Sequence, residues 1–295
     1  MLGYYFRRHI RSPAAKAARA KHVLWVIENR PESPVAGSPY AQLDPILDGE
    51  AYARAKALWL KQAGRHEKDP AVLGNAADFF LIWEKDTAQD LLEQAKALDP
   101  KNPDRSSALA RLYQLHARHA GLKASRELAA RALAEQQRAV ELSPQGTDRF
   151  YLLTDLPEMA RDADRAEEAK QFAERLLAEA TRYPKDWNYG NALHKAHVAL
   201  GHLALESGDV AGAKAQLIEA GKTPGSPQLN SFGPDFTLAA DLLQKGEREA
   251  VVEYLHSVSR FWASGAKSIE RWIKTMGDGG KPDFGTGGRM APAAD

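Results

Sequence analysis

The chain contains no cysteine. That removes disulfides, thiolate nucleophiles and Cys-ligated zinc or iron–sulfur centres from consideration. It also lacks any apolar run near the ~18 residues that cross a bilayer; the longest is VLWVI, Val23 to Ile27. The N-terminus MLGYYFRRHIRS is basic but has no 7–15-residue apolar stretch of the kind found in secretory signals. A cytoplasmic protein is therefore expected, or an exported one if a leader is missing from this chain. Gly-x-Ser-x-Gly elbows and Walker-type phosphate loops are absent as well. Net charge is nearly absent too, with 40 Lys+Arg against 39 Asp+Glu.

What is present is enough apolar material, 44 % of 295 residues, for a sizeable core. The small net charge conceals an asymmetry. Residues 1–30 carry seven bases (Arg7, Arg8, Arg11, Lys16, Arg19, Lys21, Arg30) and one acid, Glu28. The segment is thus +6, leaving −5 for the rest. It reads as the solvated face of a first helix, with Ala14, Ala17, Val23, Leu24 and Ile27 as its apolar side. The alternative is weak contact with an anionic surface through residues 1–30. Aromatic residues are not regularly interleaved with these bases, so specific nucleic-acid binding is not expected.

Four helix-like runs close on regularly placed prolines: LLEQAKALDP (91–100), AEQQRAVELSP (134–144), AERLLAEATRYP (173–184) and AKAQLIEAGKTP (213–224). Ala, Leu, Glu, Lys and Gln favour helix, and a proline ends it by removing a donor and crowding the preceding turn. Further helical patterns at 71–84, 105–119 and 190–206 lie between them, and no β alternation of useful length occurs. The spacing resembles the tetratricopeptide repeat (TPR) family. The best match is Asp69 to Asn102, with Ala76, Phe79, Ala88, Leu92, Ala95 and Pro100 at signature positions. A second has Leu200, Gly201, Ala213, Leu217 and Ala220, with Pro224 one position early, and a third has Ala173, Leu177, Ala180 and Pro184. Small residues at such positions let helices approach, and bulky ones fill what remains.

A further resemblance, to a group of bacterial TPR-like proteins, rests on WNYGNALHKAHVALGHLAL (187–205), GDVAGAK (208–214), SPQLNSFGPDF (226–236) and Trp272 with Lys281-Pro282-Asp283-Phe284. VLWVIENRP (23–31) and GNAADFF (74–80) extend it. It implies a helical fold and a bacterial source, and no particular activity. The expected architecture is all-α, a right-handed solenoid of TPR-like antiparallel helix pairs. Residues 1–48 would form a basic helix and a proline-rich extended connector packing as a cap, residues 49–276 the repeat array, and residues 277–295 a flexible tail.

The candidate chemistry is sparse. His116/His119 and His194/His197 lie at i, i+3 on helices, a spacing that suits two metal ligands, but no nearby carboxylate completes a set. No metal or cofactor is expected. The segment 185–236 is the most unusual: Asn188 is placed to cap a helix, and the loop TPGSPQLNSFGPDF (223–236) sets amides beside Phe232 and Phe236. Such a loop either recognises a ligand or plugs the gap between helix pairs.

Aligned to the TPR groove, one unit presents Pro70, Leu73, Gly74, Ala77 and Phe80, the other Lys195, Val198, Ala199, His202 and Leu205. A repeated carboxylate clamp does not fit these residues. The leading expectation is a non-catalytic adaptor that binds a protein or peptide through Asn191, His194, Lys195, His202, Asn230 and Phe232. The alternatives are an enzyme or enzyme accessory with a pocket formed by 185–236, using His194 and His197, and membrane-surface association through the basic N-terminus. The oligomeric state is open.

Overall fold

A computed structural model describes residues 2–8, 12–118 and 120–285. Among them every regular element is a helix, so the protein is all-α. No helix of the described residues is long and apolar enough to cross a membrane. The chain divides into two compact units, residues 1–116 and 117–295. The division falls inside the stretch 49–276 expected to form one array.

The first unit contains α1 (Leu2–Phe6), α2 (Pro13–Asn29), α3 (Gly49–Arg65), α4 (Pro70–Phe80), α5 (Lys85–Leu98) and α6 (Pro103–Ala117). Local chemistry sets the starts. Proline occupies the first turn of α2 and α4, where its missing N–H costs nothing. Ser12 accepts from the Ala15 N–H (3.2 Å), and Asp69 accepts from Ala71 (2.9 Å) and Val72 (3.3 Å). Helices α4 and α5 are joined by a short turn and pack against each other through Ala76, Ala88 and Ala95, all fully buried. Trp59 and Ala55 of α3 fill the adjoining core, and Tyr52 stacks on Phe79 with centroids 5.2 Å apart.

Two expectations for this unit are corrected. The 31–45 connector is not extended: it turns repeatedly, contains a 3-10 turn at Pro39–Ala41, and buries Ala36, Ala41 and Leu43. Asn75 fastens it by donating to the carbonyls of Pro31 (2.8 Å) and Ser33 (2.9 Å), and Gln42 donates to the Asp78 carbonyl (2.9 Å). Proline spacing signals the turns but not the side chains that hold them. Within α2, Val23, Leu24 and Ile27 are buried as expected, whereas Ala14 and Ala17 face solvent. Buried Ala15 and Arg19 take the inner side instead.

The second unit contains α7 (Leu122–Leu142), α8 (Thr147–Leu153), α9 (Leu156–Asp162), α10 (Ala166–Ala180), α11 (Tyr189–Glu206), α12 (Val210–Gly221), α13 (Pro227–Phe232), α14 (Thr237–Gln244), α15 (Arg248–Val258) and α16 (Ala266–Gly277). Helix α11 lies between α10 and α12. Ala169, Ala173, Ala180, Ala192, Ala196, Ala213 and Ala220 are fully buried, so these three helices meet through small side chains. The four proline-closed runs are helical, ending at Leu98, Leu142, Ala180 and Gly221, two to four residues before their prolines.

A second cluster fills the far end of this unit. Phe236 contacts Tyr254, Trp262, Trp272 and Phe284 with centroids 5.1–6.0 Å apart, and the Phe284 ring stacks on it at 12°. The expectation of a flexible tail from residue 277 is thereby corrected for Phe284, which is buried; residues 286–295 lie outside the described set.

Candidate functional site

Helix α11 carries four of the six candidate residues, and the 223–236 segment lies against it. That segment is not a plain loop. Ser226 followed by Pro227 starts a helix, with the Ser226 hydroxyl accepting from the Leu229 N–H (3.0 Å) and Leu229 pointing inward. The contact with α11 is close enough to require glycine. A Cβ on Gly190 would run into the Gly225 carbonyl, and Thr223 donates to the Gly190 carbonyl (2.9 Å).

Around that contact the polar side chains bind one another. Asn191 donates to Asn188 Oδ1 (2.9 Å) and to Gln228 Oε1, and accepts from the Ser226 hydroxyl (2.6 Å). Asn188 makes no capping bond, contrary to expectation. Its amide donates instead to Thr154 Oγ1 (2.7 Å), and Thr154 donates to the Phe150 carbonyl (3.0 Å). Thr154, Asn188, Asn191 and Ser226 are buried, so each bond among them replaces one otherwise made to water, whereas Gln228 is exposed.

His194 is 1 % exposed. Its Nδ1 lies 3.1 Å from the Ala220 carbonyl, and its Nε2 accepts from the Asp235 N–H (3.0 Å). The ring stacks on Tyr254, whose hydroxyl donates to the Asp235 carbonyl (3.0 Å). Burial pushes the His194 pKa below its ordinary value. His197 faces Gln216 (2.7 Å), and His202 faces Thr237 through Nε2 (2.9 Å) and Asp241 through Nδ1 (3.2 Å). The His194 and His197 rings thus engage different partners on α12. Among the described residues no group of three or more His, Asp or Glu side chains could hold a metal ion. His119 lies outside them.

Lys195 is taken up as well. It donates to Asp155 and lies 4.0 Å from Glu158. Burial works against its charge, but Asp155 and Glu158 outweigh it and hold the ammonium above its usual pKa. The two loop candidates differ from these four. The Asn230 amide faces the carbonyls of Phe261 and Ser226 and is assigned with its nitrogen toward them (2.9 and 3.1 Å), the orientation in which both are satisfied. Phe232 is 86 % exposed.

The structure therefore does not gather the six residues around an open groove. Asn191, His194, Lys195 and His202 fasten α11 to its surroundings, and only Phe232 is turned fully outward. The loop phenylalanines divide: Phe236 seals a gap, and Phe232 does not. Of the other groove-aligned residues, Leu73, Ala77, Phe80, Val198 and Ala199 are also interior. Sequence reasoning missed Thr154, Ser226, Gln228, Asp235 and Tyr254 as partners. The Ser226-Pro227 pair was the one local signal, since it marks a helix start.

The basic N-terminus is likewise partly internal. Arg19 is buried and pairs with Asp48 (3.6 Å) while donating to the Gln42 carbonyl. Lys16 donates to the Leu47 carbonyl, and Arg30 faces Glu32 (3.8 Å). Arg7, Arg8 and Lys21 are exposed, with Arg8 over the Tyr4 ring at 4.3 Å. No family model matches this chain, and no curated protein matches it.

Proposed function

We propose that the chain is a non-catalytic adaptor, a right-handed solenoid of TPR-like helix pairs that binds a protein or peptide. The observation that carries this reading is Phe232, 86 % exposed at the end of a helix fixed by the Ser226 cap and the Asn230 amide. Keeping a large aromatic in water forgoes roughly 1.5–3 kcal/mol of burial, and an anchored ring loses little further freedom on docking. The site moves outward from the inner face of α11 to α13. The enzyme alternative has less support, because His194 and His197 are held apart by separate partners.

Panning a random peptide library on the immobilised full-length chain tests this. Enriched peptides should bind Phe232→Ala at least about tenfold more weakly, with Tm unchanged. Equal binding to both proteins, or no enrichment, overturns the reading.

A further inference from the structure

Helix α13 is bracketed by two glycines in the left-handed backbone region, Gly225 and Gly233, each at φ +83°. Residues with a Cβ adopt that conformation reluctantly, and the Phe261 and Trp262 side chains leave no room for one, so only glycine fits these two joints in the chain. Before the second joint, α13 is tied to α11 through Asn191, Gln228 and Ser226. Just beyond it, Asp235 is held through its N–H by His194 and through its carbonyl by the Tyr254 hydroxyl.

The two partners of His194 dictate its protonation state. The Ala220 carbonyl can only accept and the Asp235 N–H can only donate. The ring that satisfies both is neutral, with its hydrogen on Nδ1. A proton added at Nε2 would set N–H against N–H and place a charge where no water reaches it. We propose that His194 is a proton-operated latch on the turn of residues 233–236: neutral, it holds the Asp235 N–H against α11; protonated, it releases that N–H and the turn loosens, while Asn191 keeps α13 in place. This inference does not depend on the adaptor reading.

The groups facing the ring agree with that behaviour. The Asp235 carboxylate, on the segment itself, favours the imidazolium, but it is engaged with the Thr237 N–H (2.8 Å). Lys195 and His197, on α11, oppose it, and α12 presents the Ala220 carbonyl. From α15, Tyr254 lies against the ring, with its phenol held neutral by burial and by Asp235. Burial dominates and keeps the closed form neutral. Once the turn opens, the ring regains an ordinary pKa of about 6.5, so opening gains up to about tenfold per pH unit below that value. Phe236, inside its aromatic cluster, stops the opening from spreading.

Amide hydrogen exchange of the full-length chain at pH 7.5 and 5.0, corrected for intrinsic rates, tests the latch. Protection at Gly233 and Asp235 should fall by about tenfold or more while α7 and α10 keep theirs. His194→Gln should abolish this pH response, and His202→Gln should retain it. The proposal is overturned if the wild-type turn shows no pH response, if His194→Gln keeps the response, or if α7 and α10 lose protection equally. If His194→Gln does not fold, NMR titration of the His194 ring in the wild type decides: protonation coincident with opening supports the latch, and protonation without opening overturns it.

Discussion

Arg19 and Asp48, each with a side chain only 3 % exposed, face each other at 3.6 Å and join α2 to the turn that starts α3. Burial pulls the Arg19 pKa down and Asp48 pulls it back up. Removing one partner leaves a buried charge without its counter-ion. Asp48→Asn should therefore destabilise the first unit by about 3–5 kcal/mol. The double variant Arg19→Met/Asp48→Asn should lose less than the two single losses added together. Urea unfolding of all four proteins checks this, and strict additivity would contradict it.

The two phenylalanines of the 223–236 segment provide an internal contrast. Phe236→Ala should cost about 3–5 kcal/mol, because it opens a cavity among Tyr254, Trp262, Trp272 and Phe284. Phe232→Ala should stay within about 0.5 kcal/mol of the parent. Thermal denaturation of the pair separates them, and similar losses for both would mean that the placement of these rings is wrong.

Gly190→Ala tests the close approach of α11 to the 223–226 turn. The new methyl group has no room beside the Gly225 carbonyl, so the turn must move. The expected cost is about 1–3 kcal/mol, with increased hydrogen exchange at Thr223 to Leu229. A neutral substitution would show that the two segments do not touch.

Acid should weaken the whole fold as well as the latch. The folded-state pKa of His194 lies below its unfolded value of about 6.5. As pH falls, the unfolded chain takes up the proton first. This contribution is complete above about pH 6.5 and declines from there toward the folded-state value. The Tm gap between wild type and His194→Gln should accordingly be wider at pH 7.5 than at pH 5. Lys195 works at the other extreme: with its pKa raised, its stabilisation is intact at neutral pH and is lost as pH rises past about 10.4.

Residue pattern made the long helices legible. Pro13 and Pro70 mark two starts, and alanine-rich runs identify α5, α7, α10 and α12. Short helices escaped: α8 and α9 span seven residues each and α13 six, too few turns for a periodicity to register. The candidate residues are legible in the sequence, and their partners are not. Asn191, His194 and His202 are polar residues on the inward side of a helix rich in alanine and leucine, which is equally what a ligand site and a buried tie look like. Apart from Asn188, their partners stand 26 to 41 residues away in sequence. Nothing local encodes those pairings, because they depend on how α12, α13 and α14 return to α11. The same holds for Phe284, whose glycine- and proline-rich surroundings suggest a loose strand of chain while its ring is committed to Phe236.

That commitment bears on how the protein is made. Chains emerge from the ribosome N-terminal end first, at about 5–20 residues per second. The first unit, residues 1–116, draws its internal contacts from early-emerging chain. Phe236 emerges long before Phe284, the ring that stacks flat against it. A released chain that ended in the 277–283 stretch would lack Phe284 and leave uncovered the faces of Phe236 and Trp272 on which it packs.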